Sequence, residues 1–376
     1  MTSPAAPWIV RLPVSGDGED SRRKAARDLL SHPLISPDAM GKARCIDTLP
    51  LGPADDGPEG QEGAFLIEAD AEAIGRVDEL TKALGLRRVK SRPLASIPVL
   101  RSPSRTAPPM DMPAGNPGGE GVHVAIIGNE SVREHNLWSN VHRFAVTPQG
   151  IDILSIFPPG DSAHATDMAA LMAGRGLGPA SGAEVWSYRL GRANGAWNML
   201  KALRHASQRT GVKVVCIATE AEDEIPFDTL DEIRCLHALI GSVTHATRRS
   251  LVFVSAAGNA AMVSPATAPS AITVGAIVGD TVVSAKGDAA KDKPTIVARG
   301  RPAQSAGGAR VEWTTSMAAP YVAGCIATWF RLKPSLTHEE VRSLLVATCS
   351  KPPGYSKDTH GFGVFEPEKV LKKLST

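Results

Sequence analysis

Three short stretches contain the residue types that acyl-transfer chemistry requires. In TTSMAAP (314–320), Ser316 stands where small polar residues give way to an apolar run. SAHATDMAALMAG (162–174) places His164 just before a predicted helix, and VFVSAAGNAA (252–261) places Asn259 in a Gly-Asn turn after an apolar strand. A serine nucleophile needs a base that removes its proton. The developing oxyanion needs fixed donors, which an asparagine amide and a helix-start N–H supply.

Each of these residues, taken alone, has a more ordinary interpretation. Ser316 is of a type that often caps a helix, and Asn259 is a common turn residue. His164 alone fits a hydrogen-bonded histidine of the surface or core. Together, each follows a strand or begins a helix, and open α/β sheets place their sites at such positions. The joint pattern therefore favours a catalytic group.

The elements that must position these residues alternate along the second part of the chain. Apolar runs that alternate with helical segments predict a parallel sheet covered by helices on both faces. Pro320 is expected in the first turns of the last helix, where a missing N–H costs least. The predicted strands are 123–128, 184–190, 212–218, 250–257 and 271–277, and the predicted helices are 165–174, 198–207, 228–247 and 316–331.

Residues 1–97 have the pattern of a small α+β domain. Strands are predicted at 8–12 and 64–69, and helices at 22–30 and 71–84. A polar loop is expected from Gly52 to Gly63. Residues 98–120 are rich in Pro, Gly and Ser, which predicts a linker before a larger domain at 121–376.

Composition excludes several other classes of protein. The 376 residues carry a net charge of +2 without a basic, aromatic-rich stripe, so no nucleic-acid partner is expected. No apolar run reaches the roughly 18 residues of a membrane span. The five cysteines are dispersed, which indicates reduced thiols rather than disulfides or a zinc site, and neither metal nor cofactor is expected. The first residues, MTSPAAPWIVRLP, lack a signal-peptide pattern, so a cytoplasmic location is predicted.

Residues 121 to 372 resemble the subtilisin-like serine peptidases, with five motifs in that family's order. TTSMAAPYVAG (314–324) is similar to GTSMAAPHVAG, and HATDMAALMAG (164–174) to HGTHVAGIIAG. SAAGNAA with PATAPSAITVGA (265–276) resembles the AAGN segment and the strand after it. KPTIVARG (293–300) and HGFGVFEPEKVL (360–371) match two later motifs. The resemblance implies a subtilisin-like fold in which Ser316 is the nucleophile, His164 the base and Asn259 the oxyanion donor.

The sequence departs from the family where its catalytic aspartate is expected. The family motif V-A-V-I-D-x-G is VHVAIIGNESV here. Without a gap Gly128 takes the Asp position; with one extra residue Asn129 takes it, and Val132 then falls on an apolar position. Asn129 is kept as the candidate, because the Glu130 side chain is expected on the other side of an extended chain. Loss of the acid costs on the order of 10⁴ in kcat in well-studied serine proteases.

Two further departures concern the substrate cleft. Thr314 replaces a glycine that often permits unusual backbone angles. The family's S-L-G-G strand end is replaced by a segment that includes Thr219 and Glu220, which become candidate substrate-binding residues. A carboxylate in an open groove favours a basic side chain in the substrate. Glu220 equally fits the start of an acidic surface loop.

Three functions fit these observations. The first is a serine endopeptidase with a narrow processing role on a protein or peptide substrate. The second is a catalytically degenerate subtilisin fold that binds a peptide or partner protein. The third, peptide-bond transfer as in a macrocyclase, has the least support. The N-terminal unit loosely resembles an inhibitory prodomain that docks on the peptidase domain, and an unrelated docking domain fits it equally.

Overall fold

The computed structural model describes the larger domain almost throughout and the N-terminal unit in part. The described residues are 6–14, 19–30, 43–53, 61–69, 87–90, 118–133, 137–138, 140–147, 149–155, 163–190, 195–218, 230–245, 251–259, 262, 264–300, 303–304, 310–311 and 313–375. The predicted helix 71–84, the middle of the predicted loop (54–60) and linker residues 98–117 lie outside them. The same holds for Thr219 and Glu220.

Helices and strands alternate through the larger domain, as the sequence predicted. The helices are α1 (Glu19–Leu30), α2 (His164–Ala173), α3 (Gly195–Ser207), α4 (Leu230–Thr244), α5 (Thr315–Leu332), α6 (His338–Thr348), α7 (Lys357–His360) and α8 (Pro367–Leu374). The strands are β1 (Ala6–Val14), β2 (Ala43–Pro53), β3 (Gln61–Ala69), β4 (Arg87–Lys90), β5 (His123–Gly128), β6 (Val141–Val146), β7 (Ile151–Ile153), β8 (Glu184–Leu190), β9 (Val212–Ile217), β10 (Val252–Ala256), β11 (Ile272–Val278), β12 (Thr281–Val282), β13 (Ile296–Arg299), β14 (Ala303–Gln304) and β15 (Arg310–Val311).

The first four strands form an antiparallel sheet in the order β2-β3-β1-β4. Helix α1 packs against β1 and β2, and strands β2 and β4 lie against α4 of the larger domain. The predicted strands and first helix of this unit are present. The predicted loop is shorter than expected, since β2 continues to Pro53 and β3 begins at Gln61.

The larger domain is built on a sheet in the order β12-β11-β10-β9-β5-β8-β6-β7, with β13 also paired to β11. Its interior pairs are parallel, as predicted, whereas the edge strands β7 and β12 pair antiparallel. The sheet is therefore mixed and mostly parallel. Among the described helices, none is long and apolar enough to cross a membrane.

Alternate residues of the central strand β5 enter two separate apolar cores. Val124 and Ile126 pack with helices α2 and α5 on one face of the sheet. Ala125 and Ile127 pack on the other face with helix α3 and its neighbours. Because both faces are covered, the strand is apolar throughout, and this is why the run HVAIIG was recognisable from the sequence.

Helix α5 lies inside the larger core and sets the position of the serine. Residues 315–330 of this helix are all buried. Pro320 is its sixth residue, within the first turns as predicted, and its ring provides no N–H for the carbonyl of Ser316. Gly324 lies where α5 crosses α2, and a methyl group there would overlap the carbonyl oxygen of Met172.

We predict that Gly324→Ala destabilises the protein by about 1–3 kcal/mol, the usual cost of overpacking against a backbone atom. Gly241→Ala in α4 is the matched control, because among the described residues the nearest atom to an added Cβ is Ser270 Oγ at 3.8 Å. It should be neutral or gain up to about 1 kcal/mol from helix propensity. Urea unfolding of both variants measures the difference, and equal midpoints would contradict this packing.

Candidate active site

The site lies at the C-terminal ends of three neighbouring strands, β5, β9 and β10. The register pairs Ile127 of β5 with Ile217 of β9, and Ile217 with Ser255 of β10. The residues that follow, Gly128, Ala218 and the turn that contains Asn259, therefore emerge at the same level. In that turn Gly258 has a φ of +90°, a left-handed conformation that glycine adopts readily.

Ser316 is the second residue of α5 and is 6% exposed. Its hydroxyl donates a long hydrogen bond of 3.4 Å to the carbonyl oxygen of Ala218. The capping position belongs to Thr314, so Ser316 is not the cap that its residue type suggested. Thr314 has φ −125° and ψ 177°, an extended backbone open to any residue, so the replacement of the family's glycine causes no backbone strain there.

His164 is the first residue of α2, and it lies beside Ala218, the residue whose carbonyl accepts the Ser316 hydroxyl. The imidazole hydrogen-bonds to the Ala218 backbone. Burial lowers the pKa of His164 below the ordinary 6.5, while the Glu130 and Asp167 carboxylates and the Ala218 hydrogen bond oppose that shift. A histidine with a lowered pKa is neutral at pH 7, the form that accepts a proton.

Asn259 is held beside the serine by the residue that precedes it in α5. Its Oδ1 accepts hydrogen bonds from the Thr315 backbone N–H at 3.2 Å and from Thr315 Oγ1 at 3.0 Å. A backbone N–H only donates, so the atom that faces it must be the amide oxygen. The amide NH₂ of Asn259 therefore points away from Thr315. Thr315, which holds this amide, is a residue that the sequence analysis did not single out.

Glu130 lies closer to the histidine than the sequence analysis expected. The expectation that its side chain points away is wrong, because β5 ends at Gly128 and alternation along an extended strand no longer applies. Glu130 Oε2 accepts a hydrogen bond from the Ala165 N–H at 3.4 Å, directly after His164. Of the two carboxylates that raise the pKa of His164, Glu130 has the larger effect and Asp167 the smaller.

The segment after Glu130 is anchored to its surroundings by backbone hydrogen bonds. The Val132 N–H donates to Ser187 Oγ at 2.9 Å, and the Arg133 N–H to Thr166 Oγ1 at 3.0 Å. Val132 is fully buried, which agrees with the alignment register that puts Asn129 at the Asp position. Asn129 is partly exposed and stays a predicted site residue.

Thr219 and Glu220, predicted to bind substrate, lie outside the described residues and stay predictions. Among the described residues, no group of three or more His, Cys, Asp or Glu side chains is arranged to hold a metal ion. The described part of the site thus consists of a hydroxyl, a neutral imidazole, an amide and a carboxylate, which are groups suited to acyl transfer.

Residues 119–364 match the model of the Subtilase family. The match spans well over half of the chain, and the chain belongs to this family. The fold is that of the subtilisin-like serine proteases.

Solved structures agree with this assignment at low sequence identity. MycP1 from the ESX-1 type VII secretion system is 21% identical with a TM-score of 0.53, over 70% of this chain and 89% of that one. MycP1 from Mycobacterium smegmatis is 21% identical with a TM-score of 0.54, over 72% and 89%. Fervidolysin from Fervidobacterium pennivorans, a keratinolytic enzyme related to subtilisin, is 15% identical with a TM-score of 0.62, over 99% of this chain and 61% of that one. At these identities the likeness shows the fold.

We predict that Asn259→Ala slows reaction at Ser316 by about a hundred- to a thousandfold, the usual effect of removing one oxyanion donor. Thr315→Val is the graded comparison, because it removes one of the two hydrogen bonds that hold the amide. Its effect should be about tenfold or less, since one neutral hydrogen bond contributes about 0.5–1.5 kcal/mol. The measurement is the rate of fluorophosphonate labelling, with thermal unfolding as the control for folding. Equal rates in wild type and Asn259→Ala would contradict the assignment.

Proposed function

We propose that this protein is a serine endopeptidase that cleaves a protein or peptide substrate through an acyl-enzyme on Ser316. One observation carries the proposal: the Ser316 hydroxyl donates to the Ala218 carbonyl oxygen, and the backbone of this same residue is a hydrogen-bond partner of the His164 ring. A hydroxyl beside a buried neutral imidazole is the arrangement that nucleophilic catalysis needs.

The chemistry follows from these positions. Rotation of the Ser316 side chain exchanges its long hydrogen bond to Ala218 for one to His164. The imidazole takes the hydroxyl proton while Oγ attacks the scissile carbonyl carbon. The oxyanion receives hydrogen bonds from the Asn259 NH₂ and from the Ser316 N–H, one of the helix-start groups without an intrahelical acceptor. His164 then gives its proton to the leaving amine, and water hydrolyses the ester by the reverse sequence.

We predict stoichiometric fluorophosphonate labelling of the wild-type protein at Ser316, located by intact mass and peptide mapping. Ser316→Ala should lose both labelling and peptidase activity while keeping the wild-type unfolding midpoint, because only the hydroxyl is removed. A wild-type protein that binds peptides but takes no label would favour the alternative, a binding module on a subtilisin fold.

We also propose that the N-terminal unit docks on the peptidase domain and limits access to its cleft. Strands β2 and β4 lie against α4, a helix of the peptidase domain. The likeness to fervidolysin extends over 99% of this chain, so it includes that unit. A MycP1 structure with its N-terminal propeptide removed is also similar, at 22% identity and a TM-score of 0.54 over 68% of this chain. The MycP1 propeptide is the observation that supports a removable N-terminal domain in this chain.

We predict that separating this unit after folding speeds labelling of Ser316. A recognition site for a specific protease, inserted within residues 98–117, permits cleavage of the folded protein. The labelling rate should rise once the N-terminal fragment is removed and fall when the fragment is added back in excess. The uncut protein with the same insertion is the control, and an unchanged rate after removal would contradict an inhibitory role.

A further inference from the structure

On the basis of the peptidase function proposed above, we propose that Glu130 is the positioning carboxylate for His164. It takes the place of the aspartate that the resemblance put at the end of β5. Gly128 and Asn129, the two residues on which that position falls, carry no carboxyl group. Glu130 would fix the ring orientation of His164 and stabilise the imidazolium that forms when Ser316 loses its proton.

The backbone path places this carboxylate at the start of α2. Strand β5 ends at Gly128, and the chain bends at Asn129 and Glu130. Glu130 Oε2 then accepts the N–H of Ala165, the residue that follows the histidine. A carboxylate at a helix N-terminus is also favoured by the helix dipole. The Glu130 side chain, two residues after the strand ends, thus reaches the first turn of the helix that begins with His164.

Two neighbours compete for the same role. Asp167 lies on α2 itself, one turn after His164, and its effect on the histidine is the smaller. Asn129 would accept a hydrogen bond but has no charge with which to stabilise an imidazolium. Within the part of the chain that the structure describes, helix α5 contributes Ser316 without an acidic residue in its first turn, and the end of β9 is followed by the Ala218 backbone. Among the described residues, Glu130 is thus the carboxylate with the strongest influence on His164 from another element.

Glu130→Gln separates this role from a structural one, because the amide oxygen still accepts the Ala165 N–H while the charge is lost. The first readout is the pKa of His164, followed by NMR in the full-length protein with labelled histidine and assigned with His164→Gln. Removal of a nearby anion destabilises the imidazolium, so the pKa should fall by roughly one unit or more. Glu130→Asp keeps the charge and should lower the pKa of His164 less than Glu130→Gln does. Asp167→Asn is the matched control, and it should lower that pKa less than Glu130→Gln.

The second readout is the rate of fluorophosphonate labelling against pH. In Glu130→Gln the midpoint of the rise should move to lower pH with the pKa of His164, and the plateau should fall by about a hundredfold or more, toward the 10⁴ known for loss of the acid elsewhere. A purely structural role would lower the unfolding midpoint without moving the pH midpoint.

The outcomes separate this proposal from the peptidase proposal. An unchanged His164 pKa in Glu130→Gln, or a larger fall in Asp167→Asn, overturns the role of Glu130 whether or not Ser316 reacts. A shifted pKa with an unchanged labelling rate overturns it as well. A wild-type protein that takes no label refutes the peptidase function, while the NMR titration still decides whether Glu130 controls His164.

Discussion

Burial of helix α5 is the constraint on which the site depends. The helix has no polar face, since residues 315–330 are all buried, so its rotation and its height along the sheet are set by packing on every side. Small residues make the close approach feasible, above all Gly324 against the carbonyl of Met172 in α2. This packing joins the two helices that carry the nucleophile and the base. Ser316 and His164 thus reach the Ala218 backbone through the core, without relying on a surface loop.

Electrostatics at the site balance two opposing requirements. Burial favours the neutral imidazole that has to accept a proton, whereas the reaction then needs that imidazole to become charged. A carboxylate near the ring opposes the effect of burial on the pKa of His164, and Glu130 has this effect. The proposed oxyanion donor is positioned by hydrogen bonds. Thr315 binds the oxygen of the Asn259 amide, so the amide NH₂ points away from Thr315.

The elements that could be predicted from the sequence are those whose residue pattern has one clear physical cause. Strands buried on both faces, such as His123–Gly128, are uninterrupted apolar runs, and Ser316, His164 and Asn259 lie in recognisable motifs. Strand Val141–Val146, next to the sheet edge, was missed because only alternate residues are buried at its end, and Ala43–Pro53 because its prolines and glycine resemble a loop. Helix His338–Thr348 was missed although Thr337 and Glu340 form a capping box that the sequence contains.

The position of Glu130 illustrates why local pattern alone misplaces a catalytic group. Alternation of side chains holds only while the strand continues, and Gly128 and Asn129 end it. A glutamate also has more rotamers to lose than an aspartate, so it orders a histidine only when its own backbone is fixed. Here that restraint comes from Ser187 and Thr166, which accept the N–H groups of Val132 and Arg133, and from the Ala165 N–H on the carboxylate. A glutamate two residues after the end of β5 can therefore take the role of an aspartate, because β8 and α2 hold the backbone that carries it.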